Sequence, residues 1–305
     1  MTPLLAVEHL SISFTQYDRG THRRTLPAIR DLDLTVDRGQ VAAVVGSSGS
    51  GKSLLAHGIL GILPYNAHME GTVTYDGAPL TPERSAALRG REIVLVPQSV
   101  GYLDPLQKVG PQVSRDRKRV RAVLDRYGLG PETEGLYPFQ LSGGMARRVL
   151  ISTAVAASPA LVIADEPTPG LDARAAGRIL GHFRELSDAG AGVLLITHDL
   201  ELALTIADKV AVFYAGETVE EAPAKDFDRL EDLRHPYTRA LWRALPQHGF
   251  HPIPGAQPYP GALPEGCPFA PRCPRRTPDC GGTVPYRPLD GGFVRCLHPE
   301  RGEPA

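Results

Sequence analysis

Over its first ~230 residues the chain alternates short apolar runs with amphipathic stretches, the pattern of an α/β protein. Val41-Ala42-Ala43-Val44-Val45 reads as a strand buried on both faces. Leu161-Val162-Ile163-Ala164 and Val193-Leu194-Leu195-Ile196 read the same way. Near-continuous apolar strands fit a parallel sheet covered on both sides. Residues 5 to 37 alternate more, which predicts antiparallel strands at one edge. Helices are expected to begin at Lys52, Ser142 and Asp172, and Val120, Val123 and Leu124 sit at helical spacing within Ser114–Arg126. After about Asp232 the pattern dissolves into Pro-rich loops with few regular elements expected.

The loop after the first buried strand changes this from a fold into a chemistry. Gly46-Ser47-Ser48-Gly49-Ser50-Gly51-Lys52-Ser53 fills G-x-x-x-x-G-K-[ST] between a strand and an apolar helix. Such glycines let backbone N–H groups converge on a polyphosphate, aided by the helix N-terminus. Lys52 is expected to reach the β- and γ-phosphates and Ser53 to ligate Mg²⁺. The motif alone does not separate ATPases, GTPases and small-molecule kinases. The strand at Leu161 ends in Asp165-Glu166. Asp165 suits Mg²⁺, and Glu166 suits a water aligned for attack on the γ-phosphate.

Charge nearly cancels, with 33 Lys+Arg against 34 Asp+Glu, which excludes a strongly basic nucleic-acid binder. No apolar run approaches the ~18 residues a membrane span needs, and the start Met1-Thr2-Pro3-Leu4-Leu5 lacks a signal-peptide pattern. These features predict a soluble cytoplasmic protein. A length of 305 residues suggests two domains of similar size.

Further segments carry a resemblance. Leu141-Ser142-Gly143-Gly144-Met145 resembles the signature motif, usually LSGGQ, of ATP-binding-cassette (ABC) ATPases. Val96-Pro97-Gln98 resembles the family's Q-loop, Pro169-Gly170-Leu171-Asp172 its D-loop, and Ile196-Thr197-His198-Asp199 its switch histidine. The family's order is kept across roughly residues 4–235. The resemblance implies a P-loop NTPase of ABC type: a RecA-like parallel core, an antiparallel β edge and a helical subdomain. It implies ATP and Mg²⁺, with Gln98 and Asp165 beside Ser53 at the metal and His198 at the γ-phosphate. Ser142, Gly143 and Gly144 would serve the nucleotide of a second ATPase subunit. An aromatic near the first strand would stack on adenine, with Phe14 chosen and Tyr17 the alternative. Met145 in place of glutamine is frequent in the peptide and nickel importer branch, so a hydrolytic site is expected.

The tail is a different material. Of 29 prolines, 14 lie between Pro246 and Pro304, with all four cysteines, Cys267, Cys273, Cys280 and Cys296. His235-Pro236-Tyr237-Thr238 and the Cys/Pro-rich run from Gly266 resemble the C-terminal region of oligopeptide, dipeptide and nickel importers. The motifs therefore replace two equal domains by an ATPase at 1–235 and an extension at 236–305. Disulfides, buried free thiols and a tetrathiolate metal site compete for the cysteines. The C-x5-C-x6-C-x15-C spacing lacks the tight pairs usual for zinc. Some members of this subfamily carry a [4Fe–4S] cluster, so the resemblance favours that cofactor.

The combined expectation is the ATPase of an importer for peptides or chelated metal, including nickel or a metallophore. It would be peripheral at the cytoplasmic face, paired as a heterodimer with a second ATPase, and joined to two permease subunits. An extracytoplasmic solute-binding protein would act indirectly, with no nucleic-acid partner. The alternative is a soluble ABC ATPase of DNA repair or translation.

Overall fold

The computed structural model describes residues 2–18, 20, 22–47 and 49–300. Two long strands, β1 (Leu5–Asp18) and β2 (His22–Val36), pair antiparallel and precede β3 (Val41–Gly46) and α1 (Lys52–Ile59). Next come β4 (Ala67–Tyr75), β5 (Ala78–Pro79), α2 (Pro82–Leu88) and β6 (Ile93–Val96). The helical stretch holds α3 (Val109–Val113), α4 (Arg117–Arg126) and α5 (Gly143–Val155). The core resumes with β7 (Leu161–Asp165), α6 (Ala173–Asp188), β8 (Gly192–Thr197) and α7 (Leu200–Leu204). It closes with β9 (Lys209–Tyr214) and β10 (Glu217–Pro223). The tail adds α8 (Pro236–Arg243), β11 (Tyr286–Leu289) and β12 (Gly292–Arg295).

The sheet runs β5-β4-β1-β2-β10-β9-β3-β8-β7-β6. Its centre is parallel: β3 lies between β9 and β8, and β7 between β8 and β6. The β1, β2, β4 and β5 edge is antiparallel, as the sequence predicts. Both faces are covered. Val41, Ala43 and Val45 join one core and Ala42 and Val44 the other, so alternate residues of β3 feed opposite layers. Among the described residues no helix is long and apolar enough to cross a membrane.

Caps set the helix starts. Ser142 and Asp172 side chains accept from Met145 N and Ala175 N, so α5 and α6 start one residue later than the motif boundaries. The helix expected over Ser114–Arg126 starts at Arg117 because Asp116 caps it, accepting from Lys118 N. The tail is more regular than its composition predicts. His235 Nδ1 accepts from Tyr237 N and Pro236 takes the first turn, so His-Pro-Tyr-Thr is a helix start. The β11–β12 hairpin turns at Asp290-Gly291, both with positive φ, the combination of a type I′ turn. Its β12 strand pairs with β10 at Glu220 and Glu221, which extends the cassette's own sheet. Phe269 is fully buried against Tyr214 and Tyr237, with ring centroids 5.3 Å away in each case.

Candidate functional site

Parallel neighbours deliver the chemistry because their carboxyl ends are in register. Val45 of β3 aligns with Thr197 of β8, Ile196 with Asp165 of β7, and Ala164 with Val96 of β6. The phosphate loop, His198, Asp165-Glu166 and Gln98 therefore leave one edge of the sheet together. Lys52, Ser53, Gln98 and Glu166 line a common cavity of about 410 Å³ with Phe14.

The loop's glycines answer steric demands. A Cβ on Gly46 would stand 2.5 Å from Phe213 O. Gly51 has φ +94°, and its Cβ would stand 2.8 Å from Ala28 O. Lys52 is buried, and its Nζ donates to Gly46 O at 2.8 Å and Ser47 O at 3.0 Å. Burial pulls its pKa down, while Glu166 and Asp165 oppose that shift. Of the other predicted loop residues, Gly49 lines the cavity and Ser50 is buried with no hydroxyl partner among the described residues. Ser48 lies outside the described residues.

Asp165 ends β7 buried, and its Oδ1 has no hydrogen-bond partner among the described residues. Burial raises its pKa, offset first by a hydrogen bond with Ser53. An unpartnered carboxylate oxygen beside a hydroxyl is a hard-oxygen donor pair, and these residues fit Mg²⁺. Glu166 adopts φ +46°, rare outside glycine, with its N–H donated to Ile196 O at 2.8 Å. That twist separates it from Asp165, and its carboxylate meets His198 Nδ1 at 2.9 Å. Asp165 and Glu166, adjacent in sequence, thus take different partners.

Phe14 is half-buried in the cavity wall, whereas Tyr17 is 66% exposed and outside it. The signature residues are elsewhere. The Ser142 hydroxyl is engaged in capping α5, Gly143 is exposed, and Gly144, half-buried, lines a separate cavity with Gly170 and Asp172. One chain therefore brings the phosphate loop, Gln98, Asp165, Glu166 and His198 together, and leaves Ser142, Gly143 and Gly144 apart.

The four cysteines converge. Cys267, Cys273, Cys280 and Cys296 line one small apolar cavity beside His235 and His298, all as free thiols. Burial pushes Cys267 up to about 11 and Cys296 to about 12, the latter aided by the other three sulfurs. Among the described residues no three of these sulfurs lie mutually within 4.8 Å. One tetrahedral zinc draws its sulfurs to about 3.8 Å, given a Zn–S bond of about 2.3 Å. Four thiols around one dry pocket are a donor set that suits a thiophilic metal centre.

Two features lie outside the motifs. Arg147 of α5 is buried and donates to Pro97 O at 3.2 Å, tying the signature helix to the residue before Gln98. From the tail, Gln257 Oε1 accepts from the Ser47 hydroxyl, and Pro260 lines the cavity. Neither pairing has a spacing signal; only the Pro-rich composition marks the second segment.

Comparison with known proteins places this geometry. The ABC transporter family matches residues 29–169, and the oligopeptide/dipeptide transporter C-terminal region matches residues 219–280. A dimeric ATP-binding cassette solved in a post-hydrolysis state with ADP and Pi is similar at a TM-score of 0.62 and 26% identity. That alignment covers 72% of this chain and 98% of that one. The fold and site thus define an ABC-type P-loop cassette. The dipeptide transport ATP-binding protein DppD of Bacillus subtilis is 34% identical over 100% of this chain and 98% of its own. The oligopeptide transport ATP-binding protein OppD of Mycobacterium tuberculosis is 39% identical over 92% of this chain. The chain spans about half that relative's length, 49%. The chain belongs to the ATP-binding subunits of ABC transporters, in the branch bearing the oligopeptide/dipeptide C-terminal region.

Proposed function

We propose that this chain hydrolyses ATP to ADP and phosphate and thereby drives uptake of a peptide or of a chelated metal, nickel or a metallophore. The observation that carries the reading is the Glu166–His198 pair, 2.9 Å apart at the same sheet edge as Lys52 and Ser53, in a chain with a peptide-transporter C-terminal region. A soluble repair or translation ATPase leaves that region unaccounted for.

Catalysis is positioning and charge stabilisation. The loop amides and Lys52 hold the β- and γ-phosphates once Lys52 exchanges its carbonyl partners for phosphate oxygens. Ser53, Asp165 and Gln98 would hold Mg²⁺, which supplies charge neutralisation at the phosphates. Glu166 accepts a hydrogen bond from the attacking water and aligns it. His198, held by Glu166, binds the γ-phosphate oxygen through its other ring nitrogen. Ser142, Gly143 and Gly144 face the nucleotide of a second ATPase subunit, which makes a dimer the working unit, and the subfamily resemblance makes that partner a different chain. Two permease subunits take the stroke at the cytoplasmic face of the membrane, downstream of an extracytoplasmic solute-binding protein. The division is an ATPase at 1–235 and an extension at 236–305, whose cysteines hold a [4Fe–4S] cluster that staples an apolar-poor segment.

The test is ATP-dependent uptake of labelled di- and oligopeptides into vesicles carrying this chain with its partner ATPase and permease. Peptide uptake that needs this chain's ATP site supports the reading; uptake unchanged by Glu166→Gln ends it. Anaerobic purification is expected to yield about four irons and four labile sulfides per chain. Neither being present removes the cluster.

A further inference from the structure

The tail segment 253–264 crosses the mouth of the nucleotide cavity and is pinned at both ends by arginines. At one end Arg272 donates to Ile253 O at 3.1 Å and Pro254 O at 2.6 Å, and is itself anchored on Tyr214 Oη at 3.0 Å. At the other, Arg24 and Arg30 of β2 donate to Gly261 O at 2.9 Å and Pro264 O at 3.4 Å. Between the pins, Gln257 takes the Ser47 hydroxyl of the phosphate loop and Pro260 enters the cavity lining. Pro254, Pro258, Pro260 and Pro264 fix φ along the strap, so its ordered form costs little chain entropy. The lining is chemically divided. Lys52 and Ser53 suit phosphate, while Phe14, Leu26, Ala28 and Pro260 suit a flat apolar ring.

We propose that residues 254–264 are a wall of this chain's own nucleotide site and read the nucleoside of a nucleoside triphosphate. Pro260 covers the base together with Phe14. Gln257 uses its Oε1 on Ser47 and offers its NH₂ to the nucleoside. The proposal rests on the cavity being the ATP site. It makes the tail a contributor to nucleotide recognition, in addition to any metal it holds.

The experiment measures binding of ATP and of inorganic tripolyphosphate to the full chain and to Gln257→Ala and Pro260→Ala. Tripolyphosphate engages the phosphate loop without a nucleoside, so it reports whether the loop is intact in each variant. The expected result is ATP affinity weakened about 3- to 10-fold, the scale of one hydrogen bond or one apolar contact, with tripolyphosphate affinity unchanged. Unchanged or tighter ATP binding overturns the proposal, because the strap is then a bystander or a plug. Equal losses for both ligands also overturn it, because the strap then acts only through the loop. A wild-type chain that binds tripolyphosphate but shows no preference for ATP instead overturns the ATP-site reading.

Discussion

The parallel core and the C-terminal segment hold themselves in place by different forces. Every residue of β3 and β8 is buried, and nearly all of them are apolar. The tail binds the same sheet largely through charged side chains. On the cassette side of the junction Arg234, almost fully buried, is held by Glu220 at 3.3 Å and Asp226 at 2.8 Å and donates to Leu289 O of the tail at 2.8 Å. Arg295 reaches Asp31 and Asp33 of β2 at 2.5 and 2.9 Å, and Arg272 pins the strap. An apolar core loses stability in proportion to the volume removed. A buried ion network fails more sharply, because deleting one partner strands the others' charge. Trimming the core therefore costs in graded steps, whereas deleting one charge at the tail junction costs at once, although the tail is the loop-rich part.

The largest expected effect lies at the core's edge. Glu166→Gln keeps shape and a hydrogen-bonding group but loses the carboxylate proposed to align water. Hydrolysis in the assembled transporter is expected to fall about 10²- to 10⁴-fold with ATP binding retained. Turnover assays beside equilibrium nucleotide binding check this. Loss of binding in step with turnover would make Glu166 a structural brace for His198 instead.

Arg234→Ala tests the tail. Removing it takes the guanidinium from Glu220, which is completely buried, and leaves it the Arg234 and His235 backbone N–H groups, at 2.9 and 2.8 Å. The expected cost is about 3–5 kcal/mol by denaturant titration, concentrated in the tail. The triple variant Glu220→Gln, Asp226→Asn and Arg234→Met removes all three charges of the network and should recover much of it, since a neutralised network of similar volume is near neutral. Equal losses in the single and triple variants would mean that packing, not charge, holds the tail.

The same contrast explains what could be read from residues alone. β3, β7 and β8 were legible because a run buried on both faces has one reading, and the phosphate loop because its glycines meet fixed steric demands. Ser142, Asp172 and His198 were legible as motif members, though their capping or pairing needed the fold. The β11–β12 hairpin is hidden by the prolines around it, although Asp290-Gly291 between Leu289 and Gly292 carries a turn signal. The bonds from Arg147 to Pro97 and from Ser47 to Gln257 had no such signal. They join residues 50 and 210 positions apart, and one guanidinium or amide looks like any other until the chain has folded.

The smallest effect separates charge from shape within the tail. Arg272→Lys keeps the positive charge but replaces a planar fork with a single ammonium. The guanidinium serves three acceptors at once, Pro254 O, Ile253 O and Tyr214 Oη, and its centre lies 5.8 Å from the Phe269 ring. A lysine cannot span all three, so about 1.4 kcal/mol of local stability is expected to go, near the value of one net hydrogen bond. Amide exchange in 253–264 should then quicken about tenfold while exchange in β3 and β8 stays unchanged. Because the loss is geometric, salt should not change it; a loss that vanishes at high salt would return the strap to long-range attraction. A quickening that spreads into β8 would mean that the strap is part of the core's cooperative unit, and the line between the two regions would have to be redrawn.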